Sequence, residues 1–132
     1  MSRRVDRNPE AAFTPAVLFL SVANASNVVT DDQGEPLAIK RQREYGLLTA
    51  SALGVGVVKE FIEIGVPATA LRYRPELRKM LGYLRIHPDV HYAIFPHQGR
   101  FAQHYAHRTS LRDRFGRLGV RVVFRDASSR LI

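Results

Sequence analysis

Two hydrophobic patterns alternate along this chain. Ala16-Val17-Leu18-Phe19-Leu20-Ser21-Val22-Ala23 is a nearly unbroken apolar run, as expected of a strand buried on both faces. Asn24 to Glu35 is a polar loop in which Asp31-Asp32-Gln33-Gly34 supplies turn chemistry. Pro36 stands where a helix can begin, because its missing N–H costs nothing in the first turn. Leu37, Arg41, Tyr45, Leu48 and Ala52 then fall on one helical stripe, and Gly54 provides the stop. The alternation repeats. Val55 to Ile64 reads as a strand, with Val57, Val58, Phe61 and Ile62, and 65–73 as a loop. Arg74-Pro75 opens a helix carrying Leu77, Leu81 and Leu84, which closes at His87-Pro88. Val90 to Phe95 is a third strand. The spacing Phe101, Tyr105, Leu111, Phe115, Leu118 predicts one helix over Gly99 to Leu118, ended by Gly119, and Val120 to Phe124 is a fourth strand. Residues 1–14, polar and charged, read as a flexible tail ahead of a single domain over 15–132.

Strands alternating with helices indicate βαβ units. The expected fold is α/β, a three-layer α/β/α arrangement with a mainly parallel central sheet of about four strands. Right-handed crossovers place the strand ends after residues 23, 64, 96 and 125 on one edge. Ligands of open α/β sheets bind at that carboxyl edge. The loops 23–26, 65–74 and 96–100 are therefore expected to converge on any site.

Composition narrows the function. A hydrophobic share of 45% and a charged share of 24% in 132 residues are those of one globular domain and argue against disorder. Cysteine is absent, which excludes disulfide scaffolds, zinc ribbons and thiol catalysis. No apolar run approaches the roughly 18 residues that span a bilayer, so no membrane partner is expected. Arg3-Arg4 ahead of an apolar stretch ending in Ala23-Asn24-Ala25 mimics a secretory signal, but Asp6, Glu10 and Thr14-Pro15 interrupt it. A cytoplasmic chain is the expectation. The net charge is +8, and 17 of the 20 basic residues are Arg, whose planar fork suits phosphate. Eight Arg against Asp113 and Asp126 concentrate a net +6 after residue 98. Arg108, Arg112, Arg114 and Arg117 are candidates for a basic helix face that contacts phosphates. Without interleaved aromatics or a base-reading motif, DNA binding there is expected to be weak and non-specific; a merely solvated face is the alternative.

The edge loops hold Ser21, Ala23, Asn24 and Ser26, then Thr69, Arg72 and Arg74, then His97, Gln98, Arg100, Gln103 and His104. Arg74 and Arg100 come from different strand ends and are candidates to grip one phosphate together, with Arg72 beside them. Either Arg could instead lie along a helix start. His104 and His107, three apart, lack a third ligand, so neither a metal nor any other cofactor is expected.

The ordered set of segments resembles the catalytic domain of serine recombinases, the resolvase/invertase group, and especially its large members. The resemblance rests on Ala16 to Ala23; Leu37-Ala38-Ile39-Lys40-Arg41-Gln42-Arg43-Glu44; Glu60-Phe61-Ile62-Glu63-Ile64-Gly65; Arg74-Pro75-Glu76-Leu77 with Met80-Leu81; Val90-His91-Tyr92-Ala93-Ile94; Arg100-Phe101-Ala102; and Leu118-Gly119-Val120-Arg121-Val122-Val123. It covers roughly residues 16–125. It implies DNA site-specific recombination, in which a serine just past the first strand attacks a phosphodiester while arginines hold the non-bridging oxygens. The family's Tyr-x-Arg-Val-Ser is here Phe19-Leu20-Ser21-Val22-Ala23, so the nucleophile position is Ala23 and an arginine position is Ser21. Its Gly-x-Ser is Gly65-Val66-Pro67. Its Asp-Arg-x-x-Arg is Gly99-Arg100-Phe101-Ala102-Gln103. Gln42, Arg74 and Arg100 are retained and, with Arg72, are the residues expected to bind phosphate or DNA.

The changed positions Ser21, Ala23, Gly99 and Gln103 leave no intact catalytic set. A methyl group cannot attack phosphorus, so the expectation is a pseudoenzyme without strand-exchange activity that meets DNA or an active recombinase protomer. An active phosphoryl-transfer enzyme using Ser21 or Ser26, with His97 or His104 as base, is the alternative; a non-functional mobile-element remnant is a third. The resemblance also implies a last strand, a long dimerising helix and a DNA-binding domain, which residues 125–132 have no room for; a truncated domain is the expectation.

Overall fold

A computed structural model describes residues 14–24 and 29–125. The elements are β1 (Thr14–Val22), α1 (Leu37–Leu53), β2 (Val55–Ile64), a 3-10 turn (Leu71–Tyr73), α2 (Pro75–Ile86), β3 (Tyr92–Phe95), α3 (Gln98–Phe101), α4 (Tyr105–Arg117) and β4 (Arg121–Phe124). The strands form one sheet in the order β2-β1-β3-β4, and every pairing is parallel. The expected α/β fold and its shared carboxyl edge are both present. The expected tail falls mostly outside the described residues.

β1 is central and its residues Ala16 to Leu20 are wholly buried, which is why its sequence shows no polar alternation. Its even positions face α1: Ala16, Leu18 and Leu20 pack with Ile39, Ala50, Val55 and Ile94. The odd positions face the other layer, where Val17 and Phe19 join Leu77, Met80 and Leu84 of α2 and Leu111 and Phe115 of α4. An aromatic cluster closes that side; the Phe95 ring lies 5.2 Å from Phe19, 4.9 Å from Phe101 and 5.9 Å from Phe115. Burial of each such ring contributes about 1.5–3 kcal/mol.

Two expectations are corrected. The stripe Leu37, Arg41, Tyr45, Leu48, Ala52 is not the buried face of α1; Leu48 is 66% exposed. The sheet instead receives Ile39, Gln42, Gly46 and Ala50. Gly46 is needed where the helix meets the Leu18 side chain, and Gln42 has a backbone to satisfy, so the buried stripe is weakly apolar. The single helix over Gly99 to Leu118 is in fact two. Ala102 is extended, with φ −164° and ψ 140°, because the chain leaves α3 to pair with the β2–α2 loop, where Gln103 N–H donates to the Ala68 carbonyl at 3.1 Å. Phe101 is buried, whereas Tyr105, in phase with it by sequence, is 77% exposed.

Candidate functional site

Strand order reverses direction at β1: the first crossover goes to β2 and the next returns past β1 to β3. The crevice between the carboxyl ends of β1 and β3 is thus the switch point where an α/β sheet offers a binding site. One wall is Ser21 to Asn24. The other is Pro96 to Gln103, including α3, which also packs against β1.

The β1 wall is held from behind. Val22 accepts a hydrogen bond at its carbonyl from Gly65 N–H on the β2 side. Pairing with β3 ends at Leu18↔Ile94, so the backbone of Ser21 has no strand partner on that side. Gln42 takes its place: its Oε1 accepts from Ser21 N–H at 2.9 Å and its Nε2 donates to the Ser21 carbonyl at 2.7 Å. Both ends of the Gln42 amide are engaged in shaping the strand. Ser21 itself is 2% exposed, whereas Ala23 is half-buried and Asn24 open.

Arg74, expected to hold phosphate, is buried beneath the β2–α2 loop with its donors engaged. Nε donates to Glu63 Oε1 at 3.3 Å, Nη1 to the Phe101 carbonyl, and Nη2 to the Arg100 carbonyl at 2.6 Å. Glu63, also buried, accepts from Glu76 N–H in the first turn of α2 at 3.1 Å. The guanidinium lies 5.5 Å from the Phe19 ring centre. Burial pulls Arg74 below its usual range, and the Glu63 charge and hydrogen bond oppose that shift. One ion pair thereby ties β2, α2 and α3 together under the crevice. Glu63 was not among the sequence candidates. The signal for it was the period of two, which puts a carboxylate on the same core face as Phe61.

The remaining candidates stand at the surface. Arg100 is half-buried, and no hydrogen bond or ion pair to its guanidinium is found among the described residues. Arg72 is exposed and stacks over Tyr73 at 4.8 Å, and His97, Gly99, Gln103 and His104 are exposed. Ser26 lies outside the described residues. No metal-holding cluster of three is found among the described residues, and no described helix is long and apolar enough to cross a membrane.

Arg108, Arg112, Arg114 and Arg117 do not share one face of α4. Arg108 and Arg112 line a 290 Å³ hollow with Gln98, Tyr105 and Thr109, where Arg108 Nε is buried without a partner. Arg112 also lies 5.4 Å from the Phe124 ring. Arg114 and Arg117 turn to the other flank, towards Leu81 and Arg85 of α2.

Residues 28–130 match the family model described as "Resolvase, N terminal domain". The match begins after β1 and so does not include Ala23. Among solved structures, the N-terminal catalytic domain of TP901-1 integrase is 16% identical, with a TM-score of 0.70 over 86% of this chain and 79% of the other. The C-terminal catalytic domain of ISC1926 TnpA, an IS607-like serine recombinase, is 20% identical, with a TM-score of 0.66 over 83% and 69%. A resolvase family site-specific recombinase from Streptococcus pneumoniae is 17% identical, with a TM-score of 0.65 over 86% and 72%. No curated protein matches the chain.

Proposed function

The chain belongs to the resolvase N-terminal domain family, and from that premise we propose that it is a recombinase-type domain that does not itself carry out strand exchange. One observation carries the reading. At the end of β1, where the resemblance puts the nucleophile, the side chain is the methyl group of Ala23, and the nearest hydroxyl upstream, on Ser21, is 2% exposed. Attack on a phosphodiester needs an oxygen that reaches phosphorus, together with cations on the developing charge. Arg74 donates to Glu63 and two carbonyls, Gln103 stands at an arginine position, and among the described residues of the crevice walls Arg100 is the arginine that remains. Each missing charge-stabilising donor costs about 2.7–4 kcal/mol of transition-state stabilisation. The domain, over 15–132, associates instead with DNA or with an active recombinase protomer in the cytoplasm, Arg100 offering a phosphate contact at the crevice and Arg72 one on the α2 side.

The test is incubation with supercoiled DNA followed by denaturing electrophoresis. No covalent protein–DNA adduct is expected from the wild-type chain. An adduct that disappears in Ser21→Ala or Ser26→Ala would instead establish an active phosphoryl-transfer enzyme.

A further inference from the structure

Away from the crevice, α2 and α4 leave a groove between them on the outer surface of their layer. Two adjoining hollows of about 380 and 170 Å³ share Leu81, Arg85 and Arg114. Arg72, Arg78, Arg85, Arg114 and Arg117 line them, and no acidic residue does. Arg117 pairs with the exposed Asp113 at 2.8 Å. No ion pair to the other four is found among the described residues.

Ordinary fold requirements explain only part of this array. Arg85, Arg114 and Arg117 stand in the last turns of their helices, where a cation suits the helix dipole. Arg78 does not: it lies near the N-terminal end of α2, the positive end, and Arg72 precedes that helix altogether. Like charges gathered along one groove repel one another, and an anion relieves that repulsion.

We propose that this groove seats the phosphate backbone of duplex DNA, as a contact surface separate from the carboxyl-edge crevice. This deepens the DNA association proposed above and rests on it. The groove floor is Leu71, Leu81 and Leu118, already packed into the core, so an amphipathic peptide would gain little apolar burial there. What the groove offers is charge in the form of Arg forks, which match phosphate oxygens. Its length also fits. Arg78 and Arg85 are two helical turns apart, about 10 Å along the axis at about 1.5 Å per residue, the rise of about three phosphates on one strand at about 3.4 Å each.

The experiment is binding of a short labelled duplex across a range of salt concentrations, comparing the wild type with R78Q/R85Q/R114Q. Three lost contacts lower the slope of log K against log salt by about 3, at about 0.9 per phosphate, and weaken binding at least about tenfold at low salt. The matching triple Lys variant keeps the slope, and R41Q, on α1 across the sheet, does not change it. If the wild type binds and the Gln triple keeps the wild-type slope, or R41Q loses as much as each groove Arg, the groove is overturned and the DNA reading stands. If the wild type does not bind duplex even near 10 mM salt, DNA association fails as well. Equal groove-dependent binding of poly-glutamate would overturn the phosphate assignment. Should the Gln triple not fold, R85Q alone carries the test, with an expected slope loss of about 0.9.

Discussion

Arg74 illustrates how far a single residue can be read without its partner. Its place at the opening of α2, near a strand end, made it a phosphate candidate; what it meets is Glu63, at 3.3 Å with both side chains 1% exposed. The sequence marks Arg74 as important, but the competition between phosphate and carboxylate is settled by burial, which only packing decides. Removing one member of a buried pair strands the other charge. Glu63→Gln is therefore expected to destabilise the fold by about 3–5 kcal/mol, measured by urea denaturation. Gln42 is similar. The resemblance makes it a phosphate-binding candidate, but its amide is spent on the backbone of Ser21. Gln42→Ala leaves a buried N–H and C=O of Ser21 without partners and should cost about 1–3 kcal/mol for each. If Gln42→Ala unfolds at the wild-type urea midpoint, the bracing role is wrong.

At the scale of elements, all four strands were legible: the central β1 and β3 carry the dense apolar runs of strands covered on both faces, and the edge strands β2 and β4 are marked by β-branched and aromatic residues although they are partly exposed. Of the helices, α1 and α2 were legible in place, α1 less so in phase, whereas the one helix expected over Gly99 to Leu118 divides into α3 and α4. α1 hides a glutamine and a glycine and shows Leu37, Leu47 and Leu48 to solvent, so its hydrophobic pattern points the wrong way. Two glycines test this packing with opposite signs. A Cβ at Gly46 would overlap Leu18 Cδ1, whereas one at Gly116 in α4 would meet nothing within 4 Å. Gly46→Ala should destabilise by about 1–3 kcal/mol through overpacking, and Gly116→Ala should stabilise by up to about 1 kcal/mol through helix propensity. Thermal melting of the two variants checks both signs. α1 is further clamped to its surroundings by Arg43, which donates to Glu35 at 2.7 Å and to Glu60 at 2.9 Å. The hydrogen bond from Arg43 is the largest influence on Glu35 and holds its carboxyl below the ordinary value of 4.5. A depressed carboxylate stabilises the fold above its unfolded value, and that contribution is lost as the pH falls through the folded one. The stability gap between wild type and Arg43→Gln is therefore expected to narrow below about pH 4.5 in denaturation series. A gap that holds constant down to pH 3 would mean the clamp contributes through packing of the arginine stem alone.

Over the whole molecule, the order of weak segments was more informative than any one of them. The family match over 28–130 agrees with it, and the region it leaves out contains β1 and the altered Ala23 position. The distribution of charge was not legible in the same way. Counting along the chain put Arg108, Arg112, Arg114 and Arg117 into one basic face, but their angular positions send two to each flank of α4, and the α2–α4 groove draws on Arg72, Arg78 and Arg85 from far earlier in the sequence. Linear sequence does not show which helix lies beside which. A net charge of +8 held partly in a groove that no acidic residue lines also couples folding to ligand. A polyanion that binds only the native state stabilises it by RT ln(1 + [L]/Kd), or about 2.7 kcal/mol at a hundredfold excess over Kd. Duplex DNA should accordingly raise the melting temperature by several degrees in about 20 mM salt, and the shift should vanish near 0.5 M as counter-ions displace the phosphates. A shift that survives high salt would point to an apolar or base-specific contact, and no shift at low salt would leave the basic groove as solvated surface.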